Sequence, residues 1–137
     1  PIEVVVGREA FEKSLSMMSA AICVSCTATL QLSLSGVPAV TCYKTNALNF
    51  LLMKLLFKQK DPILPNILLQ KKVYPCYLQS AQTPTNLSAA LIDIYNNISF
   101  YREQMRNNAN SLKQLLISEE KNFETSIANQ LKKHNLF

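Results

Sequence analysis

Residues Ile2 to Val6 (IEVVV) form a β-branched apolar run closed by Gly7, which predicts a short buried strand. From Arg8 to Ser19 the apolar positions Ala10, Phe11, Leu15 and Met18 recur at helical spacing, with Glu9 and Glu12 in the first turn. Ala20 to Ser25 (AAICVS) is a second small apolar strand. Thr27 to Ser35 alternates at its end, yet its length, the polar entry at Ser25 and the stop at Gly36 predict a helix. Val37 to Tyr43 (VPAVTCY) reads as a third strand, with Pro38 tolerable near its start. Strand, helix, strand, helix, strand in this order predicts an α/β fold with a parallel sheet, and right-handed crossovers place helices on both faces. Continuously apolar strands suit a sheet covered on both sides.

Asn46 to Phe57 (NALNFLLMKLLF) is a strongly apolar helix, too short to span a bilayer. Lys58 to Val73 reads as a loop around Pro62 and Pro65, and Tyr74-Pro75 as a turn. Thr83-Pro84 opens a further helix, with Thr83 as N-cap, Pro84 in the first position and Leu87, Ala90, Leu91 and Ile94 on one face. The C-terminal tail is helical, with Leu112, Leu115 and Leu116 and then Phe123, Ile127 and Leu131 spaced for one apolar face. The pattern divides the chain into an α/β domain over residues 1–98 and a helical tail over residues 99–137.

Composition narrows the classes. In 137 residues, 48% are apolar and only two are glycine, which excludes wholesale disorder. Four cysteines are too few for a disulfide-dense secreted scaffold. The start at Pro1, directly in a strand pattern, makes a piece of a longer protein the expectation. The net charge of +5 permits an anionic partner without choosing one. No acid occurs between Lys13 and Asp61, whereas Lys54, Lys58, Lys60, Lys71 and Lys72 lie in or beside the middle apolar stretch. The helix at Asn46 to Phe57 is therefore either core or a contact for an anionic membrane or a substrate. Nucleic acid is not expected as a partner, because the basic residues are not interleaved with aromatics and Trp is absent.

Several chemistries are disfavoured. Cys23-Val-Ser-Cys26 has redox spacing, but Cys23 falls inside a strand pattern and buried thiols are the simpler reading. A zinc site lacks a second ligand pair, and the single histidine, His134, stands in the tail, which disfavours a catalytic triad. No glycine-rich phosphate loop is present, and Asp61 and Asp93 are isolated acids. The positive signal is Val24-Ser25-Cys26-Thr27-Ala28-Thr29-Leu30, a strand ending in small and hydroxyl residues that open a helix. At the carboxyl end of a parallel strand, the free N–H groups of such a helix start can hold a phosphate, aided by the Ser25 or Thr27 hydroxyl. An ordinary N-cap is the other reading. Gln31, one turn in, faces the same edge and can hydrogen-bond a ribose.

Ser25-Cys26-Thr27-Ala28-Thr29-Leu30-Gln31, then Gly36-Val37-Pro38-Ala39-Val40 with Tyr43-Lys44, then Leu64-Pro65-Asn66-Ile67-Leu68, then Val73-Tyr74-Pro75 with Leu78-Gln79 resemble the C-terminal part of the lipid-A-disaccharide synthases. Order and spacing agree over roughly residues 1 to 95, and the helical tail fits the family's ending. The resemblance implies the C-terminal, Rossmann-like half of a two-domain glycosyltransferase fold, here incomplete at its N-terminus. It implies an inverting hexosyltransferase, without metal or cofactor, that joins UDP-2,3-diacylglucosamine to 2,3-diacylglucosamine 1-phosphate (lipid X) and releases UDP in lipid A synthesis.

By motif match the Ser25, Cys26, Thr27 and Ala28 turn lies against the diphosphate and Gln31 near the ribose. Asn66 matches an active-site asparagine, and Gln79 lies near the nucleotide. Cys26, Gln31 and Cys76 stand where the family usually has glycine, glutamate and glutamate. The resemblance further implies a bacterial protein, peripheral at the cytoplasmic face of the inner membrane, and a homodimer through exchanged C-terminal helices. It puts the acceptor site and the catalytic aspartate in an N-terminal half outside this chain, so the chain alone is expected to transfer no sugar. The alternative is a non-catalytic α/β interaction module with an apolar helical tail.

Overall fold

A computed structural model of the chain describes residues 4–24, 26–46 and 62–133. Their elements follow in the order α1 (Arg8–Leu15), β1 (Ala21–Cys23), α2 (Cys26–Leu34), β2 (Ala39–Tyr43), α3 (Leu64–Leu68), β3 (Cys76–Leu78), a 3-10 turn (Gln79–Ala81), α4 (Pro84–Asn96) and α5 (Ile98–Lys133). The strands form a parallel sheet in the order β1-β2-β3. Its register pairs Ala21 with Ala39 and Cys23 with Thr41 on one side of β2, and Thr41 with Cys76 and Tyr43 with Leu78 on the other.

The α/β expectation is met, with a different set of strands. Val4 and Val6 are exposed and outside any strand, whereas Ile2 lies outside the described residues. β-Branched composition favours an extended backbone, but a strand also needs a partner to take its N–H and C=O groups. β1 and β2 pair with each other, and Val4–Val6 pairs with neither. The third strand is instead Cys76–Leu78, only three residues long and hidden behind Pro75. Its neighbour Thr41 secures it from the centre of the sheet. Thr41 donates both its N–H (3.0 Å) and its Oγ1 hydroxyl (2.7 Å) to Pro75 O.

The predicted loop from Lys58 to Val73 contains the short helix α3, which Pro65 permits because it occupies the first turn, where an N–H has no helical partner. The first helix ends earlier than its spacing suggests, at Leu15. There the Ser14 and Ser16 hydroxyls donate back to the carbonyls of Phe11 and Lys13. The apolar helix expected at Asn46 to Phe57 lies outside the described residues beyond Asn46.

Two layers of helix cover the sheet. Side chains alternate along β2, so Ala39 and Thr41 point to one face and Val40 and Cys42 to the other, and all four are buried. On the first face Leu15, Leu32, Val37, Ile63, Tyr74 and Met105 form one apolar cluster with Cys23 and Ala39. Helix α2 packs there against α3 and α5. Helix α4 lies against β1 and β2 and buries Ile94. Thr83 caps α4 by accepting from Asn86 N at 3.1 Å, with Pro84 at the first position. β1 is less covered than its apolar sequence suggests, since Ile22 is 48% exposed.

Candidate functional site

The carboxyl ends of all three strands face one edge of the sheet, and β1 and β3 continue into residues of the predicted site. β1 ends at Cys23, and α2 begins three residues later at Cys26. β2 runs on into Lys44, Thr45 and Asn46, and β3 into the turn that starts at Gln79. Because the N–H groups of the first helical turn have no partner within the helix, α2 turns donors and a partial positive charge toward that edge. Thr27 is exposed there, Gln31 is half-buried one turn further on, and Ala28 is half-buried and packs against the apolar cluster. Ser25 lies outside the described residues, and Cys26 is placed by its backbone as the first residue of α2.

Asn66 and Gln79 have a different character from Thr27 and Gln31, because both side-chain amides bond to backbone. Asn66 is 5% exposed. Its Oδ1 accepts from Val73 N (2.8 Å) and Tyr74 N (2.9 Å), and its Nδ2 donates to Tyr74 O (2.9 Å). One amide thus fixes the chain just before Pro75, whose carbonyl holds Thr41. Gln79 sits in the left-handed region at φ +51, donates from Nε2 to Thr45 O and accepts from Thr45 N, both at 2.9 Å. This two-point clamp ties the exit of β2 to the exit of β3. Asn66 therefore positions β3, and Gln79 shapes the sheet edge next to α2.

Sequence reasoning missed three features. Thr29 and Ser33, one turn apart on α2, are completely buried, so hydroxyls share the inward face of this helix with Leu32 and Ala28. Tyr74 is 1% exposed and donates its phenol to Val37 O at 2.7 Å, which joins the segment before β3 to the segment before β2. Burial raises the Tyr74 phenol well above its usual range, and the nearby Ser33 hydroxyl opposes that shift in part. Lys44 is exposed immediately beyond β2, a cation on the same edge as the start of α2. Only the Tyr43-Lys44 motif could have drawn attention to it.

Cys23 and Cys42 are buried, and Cys76 is half-buried in β3. Burial raises the Cys42 thiol above its ordinary value, with a smaller push from Cys23. Among the described residues no three His, Cys, Asp or Glu side chains gather as metal ligands. No helix among them is long and apolar enough to cross a membrane.

Comparison with known proteins shows the family. The family profile described as lipid-A-disaccharide synthetase matches residues 2–133. A lipid-A-disaccharide synthase of Nitrobacter hamburgensis is 33% identical over 103 residues, which is 75% of this chain and 26% of that protein. One from Bradyrhizobium diazoefficiens is 30% identical over the same length. One from Neisseria meningitidis serogroup C is 44% identical over 69 residues, half of this chain and 18% of that protein. The chain spans about a quarter of the length of the curated relatives that match most of it. With its profile match running through the sheet, the α2 start and most of the helical tail, this chain belongs to the lipid-A-disaccharide synthetase family.

Proposed function

We propose that this chain is the UDP-binding portion of a glycosyltransferase of lipid A synthesis. The complete enzyme transfers 2,3-diacylglucosamine from UDP to lipid X. The observation that carries the reading is the start of α2 at the carboxyl end of a parallel strand, with exposed Thr27 and Lys44 on the same edge. A diphosphate is the ligand that such an edge suits. The helix start offers N–H donors and about half a positive charge, and Lys44 adds a full one. Ser25, Cys26, Thr27 and Ala28 form the phosphate turn, and Gln31 bonds the ribose. Asn66 and Gln79 act by holding the backbone around the nucleotide.

Residues 1–98 form the nucleotide-binding domain and residues 99–137 the helical tail, through which two copies pair. The acceptor site and the catalytic aspartate belong to an N-terminal half, and the complete protein works at the cytoplasmic face of the bacterial inner membrane. A second reading, a non-catalytic interaction module, draws on the exposed apolar side chains Ile92, Tyr95 and Phe100 around the junction of α4 and α5.

Isothermal titration of the chain with UDP, with uridine as control, separates the two. Saturable heat with UDP and none with uridine supports the nucleotide reading. A folded chain that gives no heat with either ligand refutes it and favours the module. In a transfer assay with both lipid substrates, the chain alone is expected to form no disaccharide.

A further inference from the structure

On the opposite side of the fold from the nucleotide edge, a cleft of about 350 Å³ opens between the C-terminal end of α2 and the first half of α5. Arg102, Arg106 and Lys113 line it from α5. At 3.6 residues per turn these positions fall within about 40° of one another around the helix, so all three side chains leave the same face. Ser35 and Gly36 line the facing wall, with Ser16 beside them and Asn110 between the cations. No carboxylate is among the lining residues. The nearby acid on α5, Glu103, stands about 100° around the helix from Arg102. Among the described residues none of the three cations has an ion-pair partner, the ion pair present being Arg8–Glu12. Arg102 donates to Ser19 Oγ at 3.3 Å, a neutral partner.

A helix C-terminus attracts cations, and α2 ends against this cleft. Its end carries only about half a negative charge, against three positive ones. It is also largely closed: Gly36, at φ +71, donates to Ser33 O, and Val37 donates to Leu32 O. A surplus of more than two positive charges remains in a concave, partly apolar site, where the field of like charges is focused. Two arginine forks one turn apart, with a lysine further along the same face, match the oxygens of a phosphate group in geometry as well as in charge.

We propose that this cleft is a second anion site that takes a phosphate group. Arg102 and Arg106 grip it and Lys113 supplies the outer charge. It is separate from the candidate UDP edge, because the nine residues of α2 place about 13 Å between the two ends of that helix. Since the Gly36 and Val37 N–H groups are already engaged, recognition rests on side chains. The phosphate is carried either by a soluble ester or by a lipid headgroup at a membrane surface.

The test is a titration of the full chain with inorganic pyrophosphate, followed by backbone amide shifts, against sodium chloride at equal ionic strength. The expected result is saturable shifts at Ser35, Gly36 and Arg106, weakened at least about tenfold, or roughly 1.4 kcal/mol, in an Arg106→Gln/Lys113→Gln variant. All three cations are exposed, so the variant is expected to keep its thermal midpoint. Arg102→Gln alone serves as an independent check with the same expected direction. Shifts confined to Cys26, Thr27 and Ala28, equal shifts with sodium chloride, or unchanged affinity in the variants would overturn the proposal. Sedimentation with phosphatidic acid vesicles then identifies the source. Binding that pyrophosphate competes away supports the site with a headgroup as its ligand, whereas binding to soluble pyrophosphate alone supports it with a soluble ester.

Discussion

Replacing Asn66 by alanine should remove more stability than alanine at any other position in the region before β3. Its amide serves two N–H groups and one carbonyl, on Val73, which is 8% exposed, and Tyr74, which is 1% exposed. Alanine leaves all three without that partner. An unsatisfied buried polar group costs about 1–3 kcal/mol, and some access of water near Val73 keeps the sum toward the lower end, about 3–5 kcal/mol. A domain has about 5–15 kcal/mol in total, so the variant sits near the edge of folding. Asn66→Asp supplies the useful comparison. It keeps an oxygen for the two N–H donors but buries a carboxylate and sets its second oxygen against Tyr74 O, so it should lose at least as much as alanine. Urea unfolding followed by circular dichroism reads both, and with slopes of about 1–3 kcal/mol per molar the alanine variant should shift its midpoint by at least about 1 M. A loss below about 1 kcal/mol in Asn66→Ala would show that the bracket does not hold this segment.

The other predictions concern the same framework. Stability should be level up to about pH 9 and then fall, because burial holds the Cys42 thiol and the Tyr74 phenol in their neutral forms. The unfolded chain releases these protons first, so each group removes up to about 1.4 kcal/mol per pH unit, Cys42 from about pH 9 and Tyr74 from about pH 10. Tyr74→Phe should flatten the upper part of that decline in urea midpoints, at a neutral-pH cost of about 1–2 kcal/mol for the lost bond to Val37 O; an unaltered decline would contradict the assignment. Thr83→Ala should cost about 1 kcal/mol by loss of the N-cap bond to Asn86 N, seen as a lower thermal midpoint with unchanged secondary structure. Gly36→Ala should cost about 1 kcal/mol through its positive φ alone. A Cβ there meets only Arg106 N, at 4.0 Å, so a much larger loss in thermal unfolding would mean that packing, not conformation, decides this position.

Local patterns that carry their own explanation were readable in the chain. Thr83-Pro84 could be placed because a cap and a proline act within one turn, and α2 because Gly36 supplies a stop. The apolar face of α4 emerged as expected, with Ile94 buried and Leu87, Ala90 and Leu91 half-buried. Long-range pairing was not readable. Val4–Val6 has the composition of a strand without a partner, and Cys76–Leu78 has a partner without the composition of a strand. The difference is set by Thr41 and Pro75, which lie 34 residues apart in the chain. The same limit applies to the candidate site. Family motifs identified Asn66 and Gln79 as important positions, but only the fold reveals that their amides hold backbone. Lys44 entered the candidate edge only through the direction of β2.

The central claim is that the start of α2 holds a nucleoside diphosphate. It is tested most directly by the amide shifts of the chain titrated with UDP. The prediction is saturable shifts at Cys26, Thr27, Ala28 and Gln31, with a smaller response at Lys44 and none of these with uridine. Saturable binding that leaves those amides unmoved, or equal shifts with uridine, would contradict a diphosphate at this helix start.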